Sequence, residues 1–398
     1  MAQDLTVFNQ QHWAPEMQMT YFKENVARAI ANEELRDVLV DGTRVHKPYR
    51  SSLKAQDYTK GTPISTFNDL GGADEYLDVD TVKIVPMYVD DLDKLQNKWD
   101  MAMIFARDAQ QNLNNLIDQA VLAEYSNAAS YISAQDLGGS GTGSYPVSIS
   151  NVDRLFTVAG RNLDKGNRGQ NERFAIIGPR LREIIKLYVG ARETGFGDTV
   201  GANGYVGTRF GFDLYFSNNI PFTAVVTSDA IGVAGEYFYV DGVKFTFVAN
   251  GTATTAGDIS IGDSEAATMA NAVLAINGTG TPGASTYIDV SADDRETLYN
   301  GSISASFDTH TLTITGYGDV AITEAASNLV VTSNTQYPLF GVKGSTDLVV
   351  QKEPNLEFRV CENLLGRKVY AWTTYGKKTF TKSKKGLVYA KIDTSAWV

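Results

Sequence analysis

Cysteine and histidine are scarce in this 398-residue chain, which has one cysteine and three histidines. A single cysteine, Cys361, excludes an internal disulfide framework and any cysteine-based zinc cluster. His12, His46 and His310 lie far apart in the sequence, and none belongs to a short metal-ligand pair. The sequence therefore predicts no metal and no other cofactor.

Long apolar runs are also missing. No run approaches the roughly 20 residues of a membrane helix, and the N-terminus lacks the basic region and apolar core of a signal peptide. Hydrophobic residues make up 43% and charged residues 20%, an ordinary globular composition that excludes wholesale disorder. We expect a soluble protein made in a cytosol, with two or three domains and no membrane partner.

Motifs of catalysis are absent as well. The chain has neither a GxxxxGK[ST] phosphate loop nor a GxSxG nucleophile elbow. Gly195 and Gly197 could open a dinucleotide-binding fingerprint, but Val200 stands where the third glycine is needed. Asp293–Asp294 is interpreted as a turn, with Ca²⁺ binding as the alternative. The sequence predicts a protein that is not an enzyme.

The negative charge is concentrated in one stretch. Residues 224–337 contain 13 acidic and two basic residues, a formal charge of −11, which equals the net charge of the whole chain. Such an abrupt change in the balance of acidic and basic residues predicts a separate domain inserted into a host chain. Asn-Gly and Asp-Gly turns divide the stretch into short strands around one helix, at 264–276, so the insertion is expected to be mainly β.

Helical periodicity is strongest in the host chain. Apolar residues recur at three- and four-residue steps over 91–132, which predicts one helix roughly 60 Å long. The same spacing predicts helices at 16–39, 148–164 and 180–189. The segment 174–177 is expected to form a short buried strand.

The segment 43–88 is long and polar, and its two limbs carry opposite charge. Five basic residues lie in the first limb, among them Arg44, Lys47 and Arg50, and five acids lie in the second, among them Asp74, Glu75 and Asp78. We predict a long hairpin whose six named residues contact a neighbouring subunit, each contact being weak alone. A flexible surface loop is the alternative interpretation, and Glu75, Asp78 and Asp80 could instead hold a cation such as Ca²⁺.

The order of these parts, together with FAIIGPRLREI at 174–184 and GFDLYFSNNIP at 211–221, resembles the major capsid proteins of tailed bacteriophages, which have the Hong Kong 97-type (HK97-like) shell fold. The resemblance covers residues 1–222 and 338–398. It implies an α+β fold with an N-arm, an extended hairpin loop, a long spine helix, a peripheral and an axial domain. The insertion is an addition to that fold.

The resemblance also implies the division of the chain. The expected parts are an N-terminal arm (1–42), an extended loop (43–90), a peripheral domain with the spine helix (91–173), the first part of the axial domain (174–223), the acidic β-rich insertion (224–337), and return strands with a C-terminal tail (338–398). A glycine-rich loop at 190–211 would lie near the axis of the capsomer. Its candidate residues are Arg192, Gly195, Gly197, Gly201 and Gly204.

A subunit of this family assembles into the pentamers and hexamers of an icosahedral head that encloses phage DNA. The expected partners are other copies, a portal, scaffold or cement proteins and, through non-specific contact, the packaged DNA. The expected location is the capsid of the virion, after assembly in the host cytoplasm, with the insertion on the outer surface. The alternative is an adhesive, carbohydrate-binding surface protein that uses Tyr237, Tyr239 and Tyr287 of the insertion.

Overall fold

The computed structural model describes residues 23–39, 41–64, 66–68, 70–91, 101–190, 207–228, 232–325, 328–361 and 365–395. No helix within these ranges is long and apolar enough to cross a membrane. The helices are α1 (Ala27–Ile30), α2 (Leu35–Val38), α3 (Met101–Leu122), α4 (Ala134–Leu137), α5 (Val152–Lys165), α6 (Pro179–Gly190), α7 (Glu265–Asn277) and α8 (Ala292–Asn300). Short 3₁₀ turns lie at Ala123–Asn127 and Ser383–Gly386.

The strands follow in chain order. They are β1 (Arg44–His46), β2 (Tyr49–Arg50), β3 (Gly72–Ala73), β4 (Tyr76–Asp78), β5 (Thr81–Asp90), β6 (Ser130–Ile132), β7 (Arg173–Ile177), β8 (Thr208–Arg209), β9 (Phe212–Phe216), β10 (Pro221–Ser228), β11 (Tyr237–Val240), β12 (Val243–Val248), β13 (Asp258–Ser260), β14 (Ser304–Asp308), β15 (Thr311–Tyr317), β16 (Ile322–Ala325), β17 (Leu329–Gln336), β18 (Leu339–Val342), β19 (Asp347–Val360), β20 (Gly366–Lys378), β21 (Leu387–Ala390) and β22 (Ile392–Asp393).

A six-stranded mixed sheet, in the order β6-β21-β18-β7-β9-β8, forms the centre of the host chain. Its middle strand β7 is buried on both faces, as its continuous apolar run predicts. Ala175 and Ile177 face a core with α5 and α6, whereas Phe174 and Ile176 face a second core with α1 and the end of α3. The sheet therefore joins the N-terminal arm to the rest of the body.

The second sheet is a long antiparallel one, in the order β19-β20-β5. Helix α3 packs on one face, where Ala109 and Leu113 contact Ala371. Because side chains alternate along a strand, the other face of β5 points away from the helix. That face carries the exposed side chains of Val82, Ile84 and Tyr88.

The acidic stretch forms its own hydrophobic core between two sheets. One sheet has the order β14-β15-β10-β17-β22 and the other the order β13-β12-β11-β16. Helix α7 packs into the same core; Ser264 caps its first turn and Gly278, at φ +61°, ends it. The expected turn Asp241–Gly242 is confirmed, with positive φ at both residues. Apart from β22, both sheets are built from residues 221–336.

Two helix predictions in the host chain differ from the structure. Within the described part of 16–39, two single-turn helices replace one continuous helix, because Asn32 leaves the helical path to bridge β19 at Asp347. The long helix ends at Leu122 rather than 132. Beyond it, β6 pairs with β21, and the backbone N–H of Ala129 donates to Lys384 O, so non-local pairing overrides the helical pattern. Residues 92–100 lie outside the described residues.

The insertion also differs in detail from its prediction. Asp293 and Asp294, interpreted as a turn or a Ca²⁺ site, form the first turn of α8, where Ser291 accepts a hydrogen bond from Asp294 N. Acids stabilise the positive end of a helix, which explains their position. Strands β10 and β17 were not predicted, and between β13 and α8 only Tyr287 makes a strand bridge, to Ile259.

Candidate assembly surface

The segment predicted as a hairpin is one, with its root fixed to the body. Strand β1 pairs with β4, and β2 pairs with β3. Val45, Leu77 and Val79 are buried at the root, together with Val349 and Phe380 of the body. The hairpin ends at residue 80, because β5 pairs along its whole length with β20. The root is therefore part of the subunit's own core.

Most of the six predicted contact residues bond within the chain. Arg44 pairs with Asp78 across the hairpin, Nε to Oδ1, at 2.6 Å. Asp74 lies 2.5 Å from the ring nitrogen Nδ1 of His46. Two of the three acids of the second limb thus contact the first limb of the same hairpin.

The remaining three residues differ among themselves. Lys47 Nζ donates to the buried carboxylate of Asp347 at 2.9 Å. Glu75 accepts hydrogen bonds from the hydroxyl and the backbone N–H of Thr381, and the hydroxyl bond is the main cause that lowers the pKa of Glu75. Among the described residues, Arg50 has no carboxylate within 4 Å. The inter-subunit role of the six residues remains a proposal, and it fits Arg50 best.

The hairpin tip, residues 52–70, carries large apolar side chains in solvent. Phe67 is 80% and Leu70 82% exposed, and Leu53, Tyr58 and Ile64 are each more than half exposed. Such a patch on a projecting segment is typical of a surface that another molecule covers. The sequence interpretation missed these residues, because their spacing fits neither a helix nor a strand; their number in a polar segment was the available signal.

A second apolar surface lies at the far end of the long sheet. Phe358, Val360 and Leu365 are exposed where β19 and β20 end. Along the same sheet, Glu357 accepts hydrogen bonds from Lys352 and Trp372, and the bond from Lys352 is the first cause that lowers the pKa of Glu357 to about 2. This end of the sheet therefore combines apolar side chains with a fixed charged group.

The glycine-rich loop predicted at 190–211 lies mostly outside the described residues. Arg192, Gly195, Gly197, Gly201 and Gly204, the candidate residues of the capsomer axis, lie outside the described residues. The strands β8 and β9 that follow this loop form the edge of the six-stranded sheet.

The three tyrosines of the adhesive alternative do not share one surface. Tyr287 is buried, and its hydroxyl donates to Thr279 O. Tyr237 and Tyr239 are partly exposed neighbours whose rings meet edge to face at 5.6 Å. Only two of the three residues could contact a glycan. Within the described residues, no group of three or more His, Cys, Asp or Glu side chains could hold a metal ion.

A buried charged cluster joins the N-terminal arm to the acidic stretch. Lys23 Nζ donates to Tyr317 O at 3.1 Å. Burial lowers the pKa of Lys23 to about 8, although nearby Asp241 and Asp118 favour its charged form. Asp118 accepts hydrogen bonds from the backbone N–H groups of Val26 and Ala27, and burial raises its pKa. The arm, α3 and the acidic stretch thus meet at partly desolvated charged groups, whose charged forms burial disfavours.

This cluster predicts a dependence of stability on pH. The folded chain loses the Lys23 proton near pH 8, whereas the unfolded chain keeps it to about pH 10.5, so the contribution of Lys23 to the free energy of unfolding rises between these values. Relative to the Lys23→Met variant, the unmodified chain should gain up to about 3 kcal/mol over this range. Urea unfolding at pH values from 7.5 to 10 measures the free energy of unfolding of both chains. A difference between the two chains that does not change with pH contradicts the prediction.

Solved structures of similar fold come from phages. No protein-family model matches the sequence, and comparison with curated proteins finds no match. A structure from Mycobacterium phage Che8 is 13% identical with a TM-score of 0.59, and the match covers 96% of this chain and 97% of that one. The capsid structure of the cyanophage P-SCSP1u is 12% identical with a TM-score of 0.55, covering 98% and 95%.

The capsid of Ralstonia phage GP4 is a third similar structure, 10% identical with a TM-score of 0.50, and the match covers 96% of this chain and 95% of that one. At these identities the likeness concerns the fold, and it extends over nearly the whole chain. The hairpin and the long helix α3 are parts that the resemblance also implies. The chain has the α+β fold of phage capsid proteins, as its resemblance to the Hong Kong 97-type shell fold implies.

Proposed function

We propose that this chain is a major capsid protein that assembles, as pentamers and hexamers, into the icosahedral head of a tailed phage and encloses its DNA. The observation that carries the proposal is the hairpin tip, an exposed apolar segment projecting from a root that belongs to the subunit's core. A second copy would cover this surface. Contacts of this kind join different patches on the two copies, so they extend from subunit to subunit and close into a shell.

The proposed role is structural rather than enzymatic. A shell must resist the outward pressure of packed DNA, and many modest contacts repeated by symmetry do this without a chemical step. Hairpins that reach beyond the subunit's own footprint increase the area buried with each neighbour. The further partners are a portal, scaffold or cement proteins, and packaged DNA through non-specific contact. The location is the virion head, after assembly in the host cytoplasm.

Electron microscopy of the purified protein tests the proposal. We expect closed particles of uniform size when the chain is expressed alone or with its scaffold. Negative staining detects them, and light scattering gives their mass. Monomers or small oligomers under all conditions of salt and concentration would contradict the proposal and would favour the adhesive alternative.

We further propose that residues 224–337 form an inserted domain on the outer surface of the shell. Its support is a hydrophobic core built between its own two sheets and α7, and incoming and outgoing strands that pair side by side, with Phe222 opposite Gln336. An acidic surface facing inward would repel the packaged DNA, whereas facing outward it adds solubility. Cryo-microscopy density for the domain on the inner face of the shell would refute the placement.

The inserted domain is expected to fold by itself. A fragment of residues 221–337 retains both of its sheets except the short strand β22, so its urea unfolding should be cooperative. The control fragment 221–328 lacks β17, the neighbour of β10 in the middle of the sheet, and should not fold. Near-ultraviolet circular dichroism distinguishes the two fragments. If the fragment 221–337 gives no near-ultraviolet circular dichroism signal, it does not fold as an independent domain.

A further inference from the structure

A basic cleft lies where the hairpin tip meets the C-terminal segment. Its volume is about 670 Å³, and its lining includes Arg50, Ser51, Leu53, Leu70 and Lys382. Leu70 is among the most exposed apolar side chains of the hairpin tip. The cleft is thus continuous with the apolar surface that the proposed function assigns to contact between subunits.

The cations of this cleft have no acidic partner within the described chain. Neither Arg50 nor Lys382 lies within 4 Å of a described carboxylate. Lys382 is held in place, because its Nζ lies 5.1 Å from the ring centre of Tyr49 and its carbonyl accepts a hydrogen bond from Arg168 at 2.6 Å. Arg50 and the positioned Lys382 therefore line a cleft whose lining also includes Leu53 and Leu70.

The same chain carries acids that have no basic partner. In the acidic stretch, Asp293 and Glu296 of α8 and Glu324 of β16 form no ion pair with any described residue. The two basic residues of this stretch are already engaged: Arg295 pairs with Asp289, and Lys244 lies over the ring of Tyr237. A second copy would therefore offer unpaired carboxylates of the charge that the cleft requires.

We propose that the basic cleft binds an acidic segment of a second copy of this chain, with Arg50 and Lys382 forming ion pairs across the subunit boundary. The two leucines of the lining favour a peptide over DNA. A peptide offers apolar side chains beside its carboxylates, whereas the phosphate backbone of DNA is uniformly charged and hydrated. This inference rests on the proposed function, because it needs copies that assemble. It adds a polar, salt-sensitive contact to the apolar contact of the hairpin tip.

Zero-length cross-linking in mixed particles tests the inference. Particles are assembled from equal amounts of ¹⁴N- and ¹⁵N-labelled chain, treated with a carbodiimide that joins an amine to a touching carboxylate, and digested for mass spectrometry. We expect Lys382 joined to an acidic residue in peptides of mixed label. The Lys382→Arg variant keeps the charge but has no amine, so it should assemble normally and lose this cross-link.

The Lys382→Gln variant tests the energetics. The protein concentration at which half of the chains are in particles should rise several-fold at low salt, and less at 0.5 M salt, where ion pairs are screened. If particles form but Lys382 stays uncoupled, or couples only within one copy, the inference is overturned and the proposed function stands. If Lys382 is protected only in particles that contain DNA, the inference is also overturned, because the DNA phosphates would then be the partners of the cleft. If no particles form, the proposed function fails, and the inference fails with it.

Discussion

Joining Ser51 to Gly71 by a two-residue Asn-Gly turn, which removes the hairpin tip, is expected to abolish particle formation while the subunit stays folded. The Ser51 N–H donates to Gly71 O at 2.9 Å, so these two residues already face each other as a tight hairpin turn requires. Among its described residues, the removed segment holds the exposed apolar side chains and none of the buried core. Loss of assembly would follow from the loss of the proposed neighbour contact.

The measurement combines light scattering for assembly with thermal unfolding for the fold. A matched control keeps the full length of the hairpin but changes Leu53, Tyr58, Ile64, Phe67 and Leu70 to serine. We expect it to assemble as poorly as the shortened chain, because the apolar surface rather than the length makes the contact. If the shortened chain forms particles like those of the wild type, the hairpin tip is not needed for assembly.

Replacing the buried Asp347 by alanine is expected to lower the free energy of unfolding by about 3 kcal/mol. The carboxylate is fully buried, and it accepts hydrogen bonds from Lys47 Nζ and from the Asn32 side chain, at 2.9 Å each. It thereby holds the hairpin root and the N-terminal arm to the first residue of β19. Its loss leaves two polar groups without their partner.

Asp213→Ala is the matched control, because the Asp213 carboxylate is 45% exposed and pairs with Lys343 at 3.3 Å. An exposed pair of this kind contributes about 0.5 kcal/mol. Urea unfolding monitored by tryptophan fluorescence measures both variants. Equal effects of the two substitutions would mean that Asp347 does not fix the hairpin root.

The prediction from sequence succeeded where a pattern is local. The buried run of β7, the periodicity of α5 and α6, and the Asp241–Gly242 turn each depend on neighbours in the chain, and the structure has all of them. The α+β class, which the resemblance implies, is confirmed. The change from neutral to acidic composition at residue 224 lies within β10, the strand that leads into the acidic stretch.

The prediction failed where the local structure depends on residues that are distant in the sequence. The end of α3 depends on pairing between β6 and β21, more than 250 residues apart in sequence. The pairs Arg44–Asp78 and Lys47–Asp347 were not predicted either, because a sequence does not reveal which side chains face each other. The exposed tip was missed because apolar residues at irregular spacing are normally taken as buried.

The adjacency of β10 and β17 has a practical consequence. Ser228 lies opposite Leu329, so the 100 residues between them leave and rejoin the body at points about 5 Å apart. A foreign polypeptide whose own ends are equally close can be spliced there without stretching the scaffold beneath it. If the chain assembles as proposed, with this domain outside, the junction would carry one guest per subunit in a regular array over the shell.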